Sequence, residues 1–243
     1  MIVFSIITIT KDSGDLLIRT ESSLLNQTFK EFEWIIVDNS SSQNSLDIVT
    51  KVSVRSGARL ISGLDRNIAH AWNIGINASI ADYILILNSG DTYEPDFLNL
   101  CKSYISPDII LCGTPLIVDT AGKAVGFFSN RPKALWRGMH LAHNWMCIHQ
   151  HFYFKHGLYL ELPLAMDYEY VRRLFSIYGS ELFHVLPATS NHGKYFLGGL
   201  SDKCYFQSLV ASFHINIKYY HMNILLAFTL FLAYAFKRLM TLR

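Results

Sequence analysis

Three short polar clusters, each directly after an apolar run, carry the residue types in this chain that could do chemistry. They are Thr8–Lys11, Asp38–Ser40 and Asn88–Asp91. Carboxylates, amides and hydroxyls form hydrogen bonds with polar ligands, and carboxylate oxygens also bind Mg²⁺ or Mn²⁺. A helix N-cap or a plain turn explains each cluster taken alone. Three such clusters in one sheet favour a shared ligand pocket.

The elements that would position these clusters alternate along the first hundred residues. Apolar strands are predicted at VFSIITIT, FEWIIVDNS, ARLISG and DYILILNSGD, and helices at residues 16–25, SLDIVTKVSV and IAHAWNIGINAS. Apolar strands separated by helices predict an α/β fold, with a mixed, mostly parallel sheet covered by helices on both faces. Right-handed crossovers bring the carboxyl ends of parallel strands to one edge, where open α/β sheets bind ligands.

The second half of the chain is less regular. A strand and turn are predicted at ILCGTPLIVDTAG, with GKAVGFFS returning as a partner strand, and a helix at LPLAMDYEYVRRLFSIYG. A strand at ELFHVLPATS, a glycine-rich loop at NHGKYFLGGLSD and the final helices complete the prediction.

Composition excludes several classes of protein. The chain has 243 residues and a formal net charge of +2, and its basic residues are scattered, which argues against a nucleic-acid partner. Its 4 cysteines are far apart in sequence, which argues against a zinc site and a dense disulfide framework. MIVFSIITIT lacks the features of a signal peptide and is interpreted as a first strand, so we expect a cytoplasmic protein.

The segment Met222–Phe236 is nearly all apolar, and Lys218, Lys237, Arg238 and Arg243 surround it. Its length is marginal for a membrane span. A helix that lies on the membrane surface, with basic residues facing anionic headgroups, fits better. A buried C-terminal helix and an oligomer contact are the alternatives. We therefore predict a main domain over residues 1–205 and a membrane-associating helical segment over 206–243, peripheral on the cytoplasmic face.

The succession SIITITKD, SLLNQTFKEFEWIIVDNSSS, ISGLDRNIAHAWNIGINAS and YILILNSGD resembles the family 2 glycosyltransferases of the GT-A fold. These enzymes pass a sugar from a nucleotide diphosphate to an acceptor, usually with inversion. The resemblance covers roughly residues 1–200, and LNSGD is similar to the branch that includes colanic-acid and other exopolysaccharide transferases. It implies an inverting, metal-dependent transferase that acts on a glycan acceptor, lipid-linked in our interpretation, in cell-surface polysaccharide synthesis.

The resemblance implies a set of donor-binding residues. Asp38, Asn39 and the strand-end residues Thr8 and Thr10 are expected to contact the nucleoside. Asp65 and Asn73 match positions that line the donor pocket, and Arg66 is expected to meet a phosphate, although Asn73 could equally be a helix residue bonded to the backbone. The set is completed by Asn88, Ser89 and Gly90, whose missing side chain lets the backbone approach the phosphates.

The resemblance also implies a Mg²⁺ or Mn²⁺ ion at Asp91, where it would offset the charge of the diphosphate. This chain has Asn88 where the family has its first acid, so the phosphates must supply most of the other ligands. His192, in the late glycine-rich loop, is the candidate second protein ligand.

Asp167 is the candidate general base for the acceptor hydroxyl, because AMDYEYVRRL resembles the family's E-D-x-x-L-x-x-R motif. Met166 replaces the preceding acid of that motif. Glu169 is an alternative base, but two residues along a helix turn it about 200° away. Acids in a first helical turn can also serve the helix dipole alone. His149 and Gln150 resemble a CHQ segment and are expected on the acceptor side.

Two other functions are open at this point. A nucleotidyl or phosphoryl transferase would need a G-x-G-x-x-G or Gly-rich GKT loop after the first strand, and KDSGDLL is neither. A catalytically degenerate domain that serves as a membrane scaffold is supported by Asn88 and Met166, which stand in place of two acids. Retention of Asp38, Asp91 and Asp167 favours the enzyme. The sugar, the nucleotide base and the acceptor remain open.

Overall fold

The computed structural model describes residues 2–63, 65–187 and 191–241, without the side chains of 200–201 and 237–241. Its strands are β1 Phe4–Thr10, β2 Phe32–Asp38, β3 Arg59–Ser62, β4 Tyr83–Ile86, β5 Thr92–Tyr93, β6 Ile110–Cys112, β7 Leu116–Val118, β8 Ala124–Phe127, β9 Met146–His149, β10 Phe183–Val185 and β11 Gly193–Phe196. Its helices are α1 Gly14–Leu25, α2 Gln43–Ser56, α3 Ile68–Ala78, α4 Phe97–Tyr104, α5 His151–His156, α6 Met166–Tyr178, α7 Leu200–Lys203, α8 Tyr205–Lys218 and α9 Ile224–Thr241. The predicted α/β class is confirmed.

In the described residues the main sheet has seven strands in the order β10-β6-β9-β4-β1-β2-β3. β1 pairs in parallel with β2 and β4, and β2 in parallel with β3. The side chains of β1 are buried or nearly so, as expected for a strand covered on both faces. The carboxyl ends of β1, β2 and β4 therefore share one edge, called the ligand edge below.

β9 is a strand of the main sheet that the sequence did not reveal, and in the second sheet β5 and β11 were not predicted either. β9 runs antiparallel between β4 and β6, with Tyr83 opposite His149 and Leu85 opposite Cys147. Because of this reversed direction, the start of β9 lies at the ligand edge and its end lies at the opposite edge.

Local signals explain where the helices begin and end. The Ser42 hydroxyl accepts from the Ser45 N–H at the start of α2, and Gly57 ends that helix with a φ of 72°. Asn67 caps α3 by accepting from the His70 N–H at 2.9 Å. The Ser42 and Asn67 caps lie in loops that follow β2 and β3, and they hold two of the loops that surround the ligand edge.

A second sheet, with the order β5-β11-β7-β8 in the described residues, lies beyond β4. β7 and β8 form the predicted hairpin, with Leu116 opposite Phe127. β11 comes from the glycine-rich loop and pairs with both β5 and β7. This pairing brings a segment from the end of the chain over the polar cluster at Asp91.

The C-terminal segment forms a helical hairpin of α8 and α9, whose helices pack against each other. Within the described part of the chain, no helix is both long and apolar enough to cross a membrane. The side chains of Lys237 and Arg238, and all of Arg243, lie outside the described residues.

Candidate active site

Two buried carboxylate oxygens face the ligand edge without a protein partner. Asp38 ends β2 with a 1% exposed side chain, and its Oδ1 accepts from the Ser40 hydroxyl at 2.6 Å. Its Oδ2 and Oδ1 of Asp65 are buried and unpartnered. Burial raises the pKa of Asp38, and the charges of Asp12 and Asp65 add to this effect. Buried acceptors of this kind need a donor, which the N–H and O–H groups of a nucleoside can provide.

Neighbouring polar residues play different parts. Asn39 donates to the backbone oxygen of Asp65 at 3.1 Å and so joins the two loops. The Thr10 hydroxyl contacts that of Ser13 at 2.9 Å. Thr8, by contrast, is fully buried and accepts from the Trp34 indole at 2.9 Å. Its hydroxyl is thus engaged within the core and does not face the nucleoside position predicted for it.

Asp91 lies in the second polar cluster at this edge, with a 6% exposed side chain. Its Oδ1 accepts from the Phe196 N–H at 3.1 Å and its Oδ2 from the Asn144 amide at 2.5 Å. Burial raises its pKa to about 7, and the two hydrogen bonds and the charge of Arg19 oppose that shift. The carboxylate therefore ionises near neutral pH.

A chain of hydrogen bonds leads to Asp91. The Trp72 indole N–H donates to Asn88 Oδ1 at 3.4 Å, Asn88 Nδ2 donates to Asn144 Oδ1 at 3.2 Å, and Asn144 Nδ2 donates to Asp91. Because an indole can only donate, it fixes the orientation of both amides, and every donor in the chain points toward the carboxylate. Asn88 thus orients the Asn144 amide that donates to Asp91.

The loop before Asp91 is held close to α1. The Gly90 N–H donates to the Thr20 hydroxyl at 2.9 Å, and Gly90 has a φ of 101°, which a side chain would disfavour. The Ser89 hydroxyl lies 3.4 Å from the Ser13 carbonyl oxygen. Arg19 stacks over the Phe196 ring at 3.9 Å, near Asp91. A cation therefore lies beside the loop at which a diphosphate is expected.

The described part of the chain offers one ligand, Asp91, to a divalent cation at this site. Each Asp91 oxygen accepts one hydrogen bond and keeps another lone pair. Among the described residues, no group of three His, Cys, Asp or Glu side chains could hold a metal ion. Asp91 could thus contribute one oxygen ligand, with phosphate oxygens supplying others.

His192 differs from the prediction. Its Nδ1 accepts from the Thr114 N–H at 2.7 Å, its Nε2 lies 3.2 Å from the Pro187 carbonyl oxygen, and the residue is buried. Both ring nitrogens are engaged by backbone, so this arrangement offers no nitrogen to a metal. The residue instead joins the backbone of Thr114 to that of Pro187.

Asp167 lies half-buried in the first turn of α6, and its Oδ1 accepts from the Tyr168 N–H at 2.8 Å. Ala165, just before the helix, has a φ of 58°, a strained value for a residue with a side chain. Glu169 is buried and pairs with Arg173 at 2.5 Å. It therefore has a structural partner, whereas Asp167 has none among the described side chains.

Tyr195 on β11 connects the two acids. Burial raises its pKa, and the charges of Asp202, Asp91 and Asp167 add to that shift, so these carboxylates lie within electrostatic range of β11. The next residue, Phe196, donates its N–H to Asp91 at 3.1 Å. His143 is a further neighbour, because burial lowers its pKa while the charge of Asp167 opposes that shift. Asn144, the residue after His143, donates to Asp91, so Asp91 and Asp167 approach the same short segment from two different elements.

Two predicted donor residues are engaged elsewhere. Arg66 is exposed and pairs with Glu161 at 2.6 Å. The Asn73 amide donates to the Tyr159 carbonyl oxygen at 2.8 Å and accepts from the Tyr159 N–H at 3.0 Å. Asn73 is expected from the sequence either to line the donor pocket or to bond to the backbone as a helix residue. Its contacts are those of the helix residue.

His149 and Gln150 lie away from this pocket. His149 is opposite Tyr83, the first residue of β4, and Gln150 donates to Asp82 at 2.9 Å. Asp82 and Tyr83 lie at the edge of the sheet opposite the ligand edge. The antiparallel direction of β9 separates these two residues from Asp91 and Asp167, so the structure does not place them on the acceptor side.

Several pocket residues escaped the sequence prediction, among them Asn144, Tyr195, Asp202 and Arg19. Asn144 could have been found in the sequence, since it is a polar residue directly next to an apolar run. It precedes that run, whereas the polar clusters of the first strands follow theirs. Asn144 lies in the short turn directly before β9, and the reversed direction of β9 brings that turn to the ligand edge. Tyr195, Asp202 and Arg19 have no comparable signal in the sequence.

Comparison with known proteins agrees with this geometry. The sequence model described as Glycosyl transferase family 2 matches residues 5–154. Among curated proteins, the chain is similar to a PGL/p-HBAD biosynthesis glycosyltransferase of Mycobacterium bovis, with 26% identity over 235 residues that cover 89% of this chain and 87% of that protein.

Two solved structures resemble the fold. TarS of Staphylococcus aureus has a TM-score of 0.65 at 16% identity, and the match covers 89% of this chain and 40% of that one. The chain thus spans about two fifths of that structure. The mannosyltransferase PcManGT from Pyrobaculum calidifontis, in complex with GDP-Man and Mn²⁺, has a TM-score of 0.63 at 14% identity, with 95% and 73% covered. The likeness confirms the predicted GT-A fold.

Proposed function

Because the chain belongs to glycosyltransferase family 2, we propose that it transfers a sugar, with inversion, from a nucleotide diphosphate to a hydroxyl group of a glycan acceptor. The proposed product is a cell-surface polysaccharide or glycolipid, and the similar mycobacterial protein is named a PGL/p-HBAD biosynthesis glycosyltransferase. The proposal is carried by one observation. Asp91, one of the two acids with different chemical tasks, is held by Asn144, and the charge of the other, Asp167, acts on His143, the residue directly before Asn144.

The donor is bound at two places. Asp38 and Asp65 accept hydrogen bonds from the base and ribose through their unpartnered oxygens. The diphosphate lies at the Gly90–Asp91 loop, near Arg19. A structural neighbour holds GDP-Man and Mn²⁺, which supports a nucleotide diphosphate sugar and a divalent cation. Mg²⁺ or Mn²⁺ bound to Asp91 and the phosphates would offset the charge of the leaving group.

Asp167 acts on the acceptor. As the acceptor oxygen forms its bond to the anomeric carbon and the bond to the diphosphate breaks, Asp167 takes the proton of the acceptor hydroxyl. Its carboxylate has no competing side-chain partner in the described residues. Glu169, the alternative base, is held by Arg173 and by Tyr220. This difference supports Asp167 as the general base and Glu169 as a structural residue.

Calorimetry with UDP, GDP and dTDP, with and without Mn²⁺, tests the donor site. We expect one nucleotide to bind in a metal-dependent manner, with binding lost in Asp91→Ala and kept in Asp47→Asn, an exposed surface control. Absence of nucleotide binding under all conditions would overturn the proposal.

Asp167→Asn separates an enzyme from the degenerate scaffold. The variant should bind the nucleotide like the wild type. With a sugar donor and a lipid extract, however, it should no longer set the nucleotide free. Wild-type protein that binds the nucleotide and releases none from any donor would favour the scaffold, which the replacement of two acids at Asn88 and Met166 supports.

A further inference from the structure

Helix α9 presents a wide apolar arc. We use that term for Ile224, Leu225, Leu226, Phe228, Leu232 and Phe236, which are all exposed, Leu225 at 74% and Phe236 at 66%. At about 100° per residue these positions cover about 200° of the helix circumference. Ala227 is buried on the other side. More than half of the helix circumference therefore presents hydrocarbon to the surroundings.

The arc also lacks free polar groups. Thr229 is the polar side chain within it, and its hydroxyl donates to the Leu225 carbonyl oxygen at 2.8 Å. Its hydrogen-bonding capacity is thus used inside the helix. Contiguous apolar surface of this kind marks a contact with a membrane or another molecule.

A basic rim, defined as Arg131, Arg137 and Lys218, adjoins the hairpin. All three side chains are exposed. The Tyr234 hydroxyl on α9 lies 2.7 Å from His140 Nε2, and the Arg131 N–H donates to the His140 carbonyl oxygen at 2.8 Å. The segment that carries Arg131 and Arg137 therefore packs against this helix. The sequence has no Asp or Glu from 120 to 160 or after Asp202. Glu181 lies in the same surface hollow as Arg131 and Lys133, so the charge around the rim is net positive.

We propose that the apolar arc and the basic rim dock on the surface of a bilayer that contains anionic phospholipid. A helix in the interface buries its apolar face among the acyl chains, and cations beside it attract the headgroups. A second copy of the chain fits less well, because a two-fold contact would set the like-charged rims against each other. Helix-to-helix contact would also cover only a narrow stripe of the arc.

Two hydrogen bonds join the docking hairpin to the catalytic helix. The Tyr168 hydroxyl donates to Asn216 at 2.9 Å, and the Tyr220 hydroxyl lies 3.1 Å from both the Oε1 and the backbone oxygen of Glu169. Tyr168 and Glu169 follow Asp167 directly. A docked hairpin thus holds the candidate base near the bilayer, and the acceptor is a glycan carried on a lipid. This last step depends on the proposed function.

Vesicle flotation with the full chain tests the docking. We expect binding to vesicles of phosphatidylcholine and phosphatidylglycerol at 3:1, and a partition coefficient reduced about a hundredfold in Phe228→Glu/Leu232→Glu, since two apolar side chains are lost from the interface. The matched control is Val54→Glu/Phe154→Glu, with side chains 80% and 70% exposed on other helices. Its binding should equal that of the wild type.

Arg131→Gln/Arg137→Gln tests the rim, and should weaken binding to anionic vesicles several-fold while leaving binding to pure phosphatidylcholine unchanged. Failure of the wild type to float, or equal flotation of Phe228→Glu/Leu232→Glu, would overturn the proposal. So would a dimer in sedimentation equilibrium that this double variant dissociates, without vesicle binding. Nucleotide calorimetry without vesicles tests the proposed function separately, since it does not involve the hairpin.

Discussion

At the scale of single residues, the direction of the hydrogen bonds behind Asp91 explains an unusual feature of the sequence. Asn88 stands where the family has an acid, and a second carboxylate there would face Asn144 and repel Asp91. The Asn88 amide instead accepts from Trp72 and donates to Asn144, which donates to Asp91. Replacement of the acid therefore need not mean lost activity, because it gives the remaining carboxylate an oriented donor.

Asn144→Ala should weaken metal-dependent nucleotide binding about tenfold. It removes a hydrogen bond to a charged group, which contributes about 1.5–3 kcal/mol, and leaves Asp91 less favourably ionised. Calorimetry measures the change, and Asn77→Ala, at an exposed position of α3, is the control. Equal affinity of Asn144→Ala and the wild type would contradict a role in holding Asp91.

Asp91 should also make stability depend on pH. Its pKa is about 7 in the folded protein and 3.8 ordinarily. Between these values the folded protein keeps a proton that the unfolded chain has released, so the free energy of unfolding falls as pH rises.

Guanidinium denaturation without metal or nucleotide, at pH 5 and pH 8, measures this effect. The wild type should lose about 2 kcal/mol more than Asp91→Asn between the two values. Any fixed cost of the substitution cancels in this comparison. The same pH response in both proteins would show that Asp91 is already ionised at pH 5.

At the scale of elements, close contact between α3 and β1 explains a glycine inside a helix. A Cβ atom on Gly75 would lie 2.4 Å from Ile7 Cγ2, which is too close for any real contact. Ile7 is fully buried in the strand that carries the first polar cluster. The glycine thus lets the helix lie directly on the centre of the sheet.

Gly75→Ala should lower the free energy of unfolding by about 2 kcal/mol, because the methyl group forces the helix or Ile7 to shift. Chemical denaturation measures it. Gly199→Ala is the matched control, since nothing lies within 4 Å of the added Cβ, and its effect should be about 0.5 kcal/mol or less. A neutral Gly75→Ala would mean that α3 can move away from β1 at little cost.

At the scale of the whole molecule, the hairpin contacts the main body at several places, among them Tyr220 with Glu169 and Tyr234 with His140. Ile215 and Asn216 are buried against the body, and Asn216 accepts from Tyr168. The division at residue 205 stays a prediction. This connection nevertheless indicates that the hairpin and α6 are mechanically joined.

Asn216→Ala should leave the buried Tyr168 hydroxyl without an acceptor and lower the free energy of unfolding by about 1–3 kcal/mol. Amide hydrogen exchange should accelerate in α8 and remain unchanged in β1, with nucleotide affinity unaffected. Gln207→Ala, exposed on the same helix, is the control. Unchanged exchange in α8 would show that other contacts hold the hairpin.

The sequence by itself determined the frame of the site. The apolar runs of β1, β2 and β4 could be recognised because burial on both faces requires continuous apolar character. Their polar ends, with Asp38 and Asp91, had to share an edge because parallel strands with right-handed crossovers all end on the same side. Both consequences follow from local pattern and chain direction.

Only the tertiary structure decided which side chains are free to act. Backbone atoms distant in sequence engage His192 and Asn73, an indole engages Thr8, and Glu161 engages Arg66. The reversed direction of β9 carries His149 and Gln150 to the opposite edge and brings Asn144 to Asp91. A residue's type shows which hydrogen bonds it can make, but packing between remote segments decides which of them it makes within the protein and which remain for a ligand.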